Sequence, residues 1–331
     1  GNDEKQPVIA AYNIWCEKFG KESADERFRK SAVRLLLNFF RVGVFENPYV
    51  HPEETARIVG CPEFVAEGYD AQRKSIVMVK NHENALPLAK GAKVYMPKRH
   101  YPASIGFFSR HKPYKEHWSY PIPIETLEKY YQFTDNPEEA DMALVYIFSP
   151  EGNWGYSEKD VAQGGTGYIP ISLQYEDYTA EYSRAESIAG GDMKESFTNR
   201  TYLGKSDKTY NRDDMLLVRE TKELMGDKPV VILIQPARPF VPAEVEPYAD
   251  AMLLGFGVRD EAFLDLMSGE AEPYGLLPLQ LPKDMKTVEE QFEDVGRDMQ
   301  PYIDADGNAY DFAFGLDWNG VIDDWRVEKY R

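Results

Sequence analysis

Carboxylates, an amide, arginines and a tryptophan gather in four short segments of this 331-residue chain: Lys98–Tyr101, Ser149–Ser157, Pro236–Phe240 and Gly257–Glu261. Together they carry Lys98, Arg99, Glu151, Asn153, Trp154, Tyr156, Arg238, Arg259, Asp260 and Glu261. Asp, Glu and Asn exchange hydrogen bonds with hydroxyls, and a Trp face covers a ring. The set suits a polyhydroxylated ligand, with a solvated loop end as the plain alternative for any single member.

Other chemistries fit less well. Leu203-Gly204-Lys205-Ser206 ends like a phosphate loop, but position 199, where the upstream glycine belongs, is Asn. Gly164-Gly165-Thr166-Gly167 follows no strand and lacks the third glycine of a dinucleotide fingerprint, which leaves a nucleotide or flavin binder as the weakest reading. Asp304-Ala305-Asp306-Gly307 has its glycine at the fourth position of a calcium loop rather than the sixth, so Asp306-Gly307 reads as a hairpin turn between Met299–Ile303 and Ala309–Phe314. His51, His82, His100, His111 and His117 form no i, i+4 metal pair, and no G-x-S-x-G elbow is present. No metal and no cofactor is expected.

The elements that must position the four segments follow from periodicity. Glu26–Phe45 and Glu63–Lys80 have helical spacing, the first with Ser23 and Glu26 as a capping box; Ser75–Lys80 alone could pass for a strand. Lys93–Pro97, Asp141–Phe148, Pro229–Gln235 and Ala251–Phe256 are strand candidates, and the middle two have the composition of strands buried on both faces. Asp213–Met225, capped by Asp213 or Asp214 and stopped by Gly226, and Asp260–Gly269 are helices. Helices alternating with buried strands indicate an α/β, doubly wound parallel sheet, in which ligands sit beyond the carboxyl ends of the strands. The four segments leave those ends.

Composition bounds the partners. With 38 Lys and Arg against 56 Asp and Glu, the net charge of -18 disfavours nucleic acid and anionic membrane surfaces. The longest apolar runs, such as Val230–Ile234, are strand-sized, short of the roughly 20 residues of a membrane span. Cys16 and Cys61 cannot build a disulfide framework. The chain reads as a soluble protein, cytoplasmic or periplasmic, rich in Tyr, Phe and Trp.

Six blocks bring a resemblance. RLLLNFFRVGVFENPYV (Arg34–Val50), AQRKSIVMVKNHENALPL (Ala71–Leu88), GDKPVVILI (Gly226–Ile234), EPYADAMLLGF (Glu246–Phe256), GEAEPYGLLPLQLP (Gly269–Pro282) and YDFAFGLDW (Tyr310–Trp318) stand in the order found in family 3 glycoside hydrolases, the β-glucosidase family. The chain resembles the C-terminal region of that family. Arg99 to Asn211 resembles the family least, and Gly257–Glu261 departs from its usual Gly-Gln-Glu-like run.

The resemblance implies a three-layer αβα sandwich on a mostly parallel six-stranded sheet over residues 63–331. Residues 1–62 are then expected to be the last helix of a preceding (β/α)8 barrel plus a linker, and the start at Gly1 to be that of an excised domain. The barrel would be the partner that supplies the aspartate nucleophile, and a β-glycoside or oligosaccharide the substrate. The acid/base Glu often comes from the sandwich: Glu261 is its nearest positional counterpart, with Glu151 and Glu158 as rivals. Asn153, Trp154, Tyr156, Arg99, Arg238 and Asp260 are the expected substrate contacts. The competing expectation is a stand-alone, non-catalytic carbohydrate-binding or interaction module.

Overall fold

The computed structural model describes residues 6–103, 115–187, 199–292 and 295–330. His111 lies outside the described residues, as does the start of the chain. Two units divide the chain, Gly1–Ala66 and Glu67–Arg331.

In the first unit α1 (Gln6–Phe19) turns at Gly20 into α2 (Lys21–Arg41). Tyr12 donates to Asp25 at 2.5 Å and meets the Phe28 ring edge-on at 5.3 Å. The expected capping box is absent, because the helix starts upstream of it. Gly20 occupies the cap position, and Ser23, already helical, accepts from the Trp15 indole at 3.2 Å. A short α3 (Pro52–Ile58) follows, and α4 (Pro62–Ser75) begins in this unit and continues into the next.

In the second unit the chain leaves α4 as a strand, β1 (Val77–Asn81), so the expected helix ends five residues early. Val77, Met78 and Val79 are fully buried, and consecutive buried residues need a sheet with two covered faces rather than a one-sided helix. The strands β2 (Lys93–Tyr95), β3 (Arg99–Tyr101), β4 (His117–Ser119), β5 (Gln132–Thr134) and β6 (Met142–Phe148) follow, with the short helix α5 (Ile124–Leu127) ahead of β5. Next come α6 (Glu158–Ala162), the two-residue strands β7 (Tyr178–Thr179) and β8 (Ser206–Asp207), α7 (Arg212–Met225), β9 (Val230–Gln235) and β10 (Ala251–Leu254). The chain closes with α8 (Asp260–Met267), α9 (Met285–Glu290), β11 (Leu316–Asp317), β12 (Gly320–Val321) and α10 (Trp325–Tyr330).

The main sheet has the order β12-β11-β1-β10-β9-β6-β2-β5. Strands β10, β9, β6, β2 and β5 are mutually parallel, and β1 runs antiparallel to β10. The sheet therefore has eight strands rather than six. The two extra ones are the β11–β12 hairpin, which joins the edge through the pair Met78 and Leu316.

Side-chain alternation along the central strands fills two cores. Met142, Leu144 and Tyr146 of β6 face one core with Phe263, Leu264 and Met267 of α8. Ala143, Val145 and Ile147 face the other with Met215 and Val218 of α7. This is the expected αβα layering. Residues 276–281 form neither helix nor strand and bend at Pro278 and Leu279, but Leu277 N–H donates to Phe314 O at 2.7 Å and Leu281 N–H to Tyr310 O at 2.9 Å. Asp306-Gly307 makes the expected tight turn, with Gly307 N–H on Asp304 O at 3.1 Å and an antiparallel bridge between Ile303 and Ala309.

Gly275 shows how closely this segment docks. A Cβ there would lie 2.4 Å from the Ile76 carbonyl oxygen. Gly275→Ala is expected to cost about 1–3 kcal/mol, the usual scale of overpacking. Gly68→Ala, in α4 with nothing within 4 Å, serves as the control and is expected to hold or raise stability. Urea midpoints of the two variants check this, and equal midpoints would contradict the tight docking.

Candidate functional site

The carboxyl ends of β2, β6, β9 and β10 carry the four segments singled out above, and a buried polar hub fixes their geometry. Arg99, 4 % exposed, makes a two-pronged ion pair with Asp214, 1 % exposed: Nε to Oδ1 at 2.7 Å and Nη2 to Oδ2 at 2.8 Å. Its guanidinium also lies 4.5 Å from the ring centroids of both Tyr101 and Phe148. Asp214 accepts from the Phe148 backbone N–H at 3.3 Å and from the Asn211 amide at 2.9 Å. Asn211 in turn donates to Ser149 O and accepts from Glu151 N–H, while the Tyr175 hydroxyl donates to Phe148 O at 2.6 Å. Burial pushes the Asp214 carboxyl upward, and the Arg99 fork offsets that by favouring its ionised form. Asp214 is thus no helix cap. Asn211 occupies the cap position of α7 without a side-chain bond to the helix N–H groups, because its amide oxygen is taken by the Glu151 N–H.

The loop leaving this hub is tied down at two further points, by Asp207 of β8 and by Lys205 just before that strand. Asp207, buried, accepts from Asn153 Nδ2 at 2.5 Å, Asn153 N–H at 3.4 Å and Ser172 N–H at 3.0 Å. Lys205, two residues earlier, donates to Asp160 Oδ2 at 2.8 Å, Thr166 Oγ1 at 3.2 Å and Tyr168 O at 2.8 Å. Glycines admit the two carboxylates: a Cβ at Gly152 would lie 2.5 Å from Asp207 Oδ2, and one at Gly165 2.2 Å from Asp160 Oδ2. The Gly-Lys-Ser and Gly-Gly-Thr-Gly runs, which fail as phosphate loops, are therefore two halves of one loop clamp.

The clamp brings several of the expected residues together. Trp154 is 80 % exposed, with the Arg238 guanidinium 5.5 Å from its ring centroid, and Arg238 also reaches Asn153 O at 3.5 Å. Tyr156 is exposed and meets Tyr168 edge-on at 6.3 Å. Glu158 opens α6, whose cap Ser157 accepts from Asp160 N–H at 3.2 Å. Glu151 sits exposed at the hub, its backbone O accepting from Tyr210 N–H at 2.7 Å.

Arg99 and Asp260 belong to a different neighbourhood. Arg99 is turned inward onto Asp214. Asp260 opens α8, and its field reaches Tyr101 and Tyr146. Burial, helped by the Glu261 carboxylate, pushes the Asp260 carboxyl up to about 6. Glu261 faces Lys129 across 3.7 Å. Among the described residues no group of three or more His, Cys, Asp or Glu side chains could hold a metal ion. None of their helices is long and apolar enough to cross a membrane.

The profile described as "Glycosyl hydrolase family 3 C-terminal domain" matches residues 76–318. The chain belongs to this family. Among curated proteins it is similar to a probable beta-glucosidase C of Aspergillus flavus, 27 % identical over 315 residues that span 90 % of this chain and 39 % of the relative. It is also similar to a periplasmic beta-glucosidase/beta-xylosidase of Dickeya chrysanthemi, 25 % identical over 88 % of this chain and 34 % of the relative. The chain thus spans between a third and two-fifths of the length of these relatives. Among solved structures, a beta-glucosidase from Listeria innocua in complex with glucose aligns with a TM-score of 0.49, 17 % identity, and coverage of 92 % of this chain and 40 % of that one.

For this family 3 domain the residues missed in the sequence are the ones that hold the loop: Asp160, Lys205, Asp207, Asn211, Asp214 and Tyr175. Glycines 152 and 165 were the available signal, but a glycine in a loop does not say which carboxylate it makes room for.

Two expectations follow. Arg99→Met should destabilise by about 3–5 kcal/mol, since it strands a buried carboxylate, and Arg99→Met/Asp214→Leu should recover most of that loss. Denaturant titration of both variants checks it. Asp260 has a folded-state pKa above the ordinary value near 3.9, so the folded chain holds the extra proton between about pH 4 and 6. Its contribution is present below that window and is lost as pH rises through it. The thermal midpoint of the native protein minus that of Asp260→Asn should therefore fall across this window and stay level above it. A difference independent of pH would count against the assignment.

Proposed function

We propose that this chain is the C-terminal domain of a β-glucosidase-like glycoside hydrolase and that Glu158 is its general acid/base. The reading rests on one observation. Among the described residues the Glu158 carboxylate is exposed and without a partner, on a capped, clamped loop that also presents Trp154 and Tyr156. Of the other candidates, Glu261 is held toward Lys129, and Glu151 is bonded through its backbone to Asn211 and Tyr210 at the hub. An acid/base has to meet the glycosidic oxygen, so it needs a carboxyl group not already committed within its own domain.

In this reading the sugar packs on the exposed Trp154 face, and Arg238 and Asn153 hold that ring in place. Glu158 gives its proton to the leaving oxygen as the glycosidic bond breaks, then as carboxylate takes a proton from the attacking water. A retaining reaction needs a second carboxyl group about 5–5.5 Å away as nucleophile. The partner that would supply it is a (β/α)8 barrel in the same polypeptide. The substrate is a terminal β-D-glycoside.

The test uses leaving groups. In the native protein that carries these 331 residues, Glu158→Gln should lower kcat/KM for alkyl glucosides and cellobiose by about 10²–10⁴-fold. It should affect a dinitrophenyl glucoside, whose leaving group needs no proton, far less. The 331 residues alone should show no turnover. Equal losses on both substrate classes, or none, would remove Glu158 from the role.

A further inference from the structure

Glu158 opens α6, a helix of five residues, and so short a helix has little stability of its own in water. What grips α6 therefore sets where that carboxylate points. Ser157 N–H donates to Gly167 O at 2.8 Å, Gly165 N–H to Asp160 O at 2.8 Å, and Tyr156 bridges Tyr168. These bonds join the two legs of the loop to each other. Lys205, 45 positions from Asp160, joins both legs to another part of the domain. Its ammonium donates to Asp160 on α6 at 2.8 Å, and on the returning leg to Thr166 at 3.2 Å and Tyr168 O at 2.8 Å. An ammonium has three N–H groups, and three acceptors within its own domain meet them here.

The lysine springs from a fixed ladder. Gly204, with φ of 75°, turns the chain; its N–H donates to Ala180 O at 2.8 Å, and Lys205 O accepts from Ala180 N–H at 2.9 Å. The next residues, Ser206 and Asp207, pair with β7. The Lys205 and Asp160 side chains are 25 % and 22 % exposed, so water screens them less than a surface ion pair. Lys205, together with the Gly167 N–H at 2.7 Å, holds the Asp160 carboxyl below the usual carboxylate range, and it stays charged near neutral pH.

We infer that Lys205 is a positioning residue for proton transfer: through Asp160 it aims α6, and with it Glu158, at the leaving oxygen. The inference rests on the Glu158 reading above. A general acid must come within hydrogen-bond reach of the oxygen it protonates, and a displacement of about 1 Å can cost about 10²-fold in rate. Trp154 hangs on a different grip, the bonds from Asn153 to Asp207, so loss of Lys205 moves the acid and leaves the sugar platform in place.

The test is a double-mutant cycle in the native protein that carries these 331 residues. Lys205→Met should lower kcat/KM for 4-nitrophenyl glucoside and cellobiose by about tenfold or more, and for a dinitrophenyl glucoside by less than about twofold. In a Glu158→Gln background the same change should cost less than about twofold on 4-nitrophenyl glucoside, because the group it aims is already gone. Asp160→Asn breaks the pair from the other side and should reproduce the pattern. Circular dichroism establishes folding, and either folded variant decides the question. Equal losses on all substrates, no loss, or a loss undiminished in the Glu158→Gln background overturns the inference. So does failure of both variants to fold, since the pair would then serve the fold itself. Should Glu158→Gln itself affect every substrate equally, the acid reading falls separately. Hydrogen exchange over residues 156–169, expected to be at least about tenfold faster in Lys205→Met, then still shows whether Lys205 positions α6.

Discussion

The buried pair of Arg99 and Asp214 is the interaction on which the working edge of this domain depends. Removing two charges from water is expensive, and a lone ion pair at this depth would return little net stability. Here the expense is met by saturation: the carboxylate takes the arginine fork, an asparagine amide and a backbone N–H, and the guanidinium lies between two aromatic rings. The pair ties β3 and α7 to the last residue of β6. Whatever leaves β6 therefore starts from a fixed point, in a sheet whose central strands are buried on both faces.

From that point the loop is held as a rigid object rather than as a flexible connection. Asp207 and Lys205 lie two residues apart on an extended segment, so their side chains project to the same side. One grips Asn153, the other Asp160 and the backbone at Tyr168. Between the two grips stand Trp154, Tyr156 and Glu158. The aromatic side chains stay exposed because the clamp, not their own burial, orders the backbone.

The family and the layering were legible because they rest on local patterns. Strands such as Met142–Phe148 and Val230–Gln235 announce burial on both faces by composition alone, and five of the six family blocks fall wholly or partly within the matched segment. Errors arose where a local rule met a competing long-range partner. Ser23 looks like a cap but lies inside a helix that already began at Lys21. Asp214 looks like a cap but is drawn into the hub by Arg99. The β11–β12 hairpin is too short to announce itself, and only the edge of β1 makes it part of the sheet.

By itself the sequence determined the strands β2, β6, β9 and β10 with the helices α7 and α8, the doubly covered sheet, the family, and the loops that leave the strand ends. These follow from periodicity and from runs of apolar residues, which act over a few neighbours. Only the tertiary structure decided which charged residues face solvent. Arg99 and Asp214 are 115 positions apart, and Asn153 and Asp207 are 54 apart. A charged side chain is chosen for the interior or for the ligand by the partner the chain path brings to it, and that partner is not written in its neighbours. Arg99 thus became part of the foundation, while Glu158, with no partner among the described residues, was left facing outward.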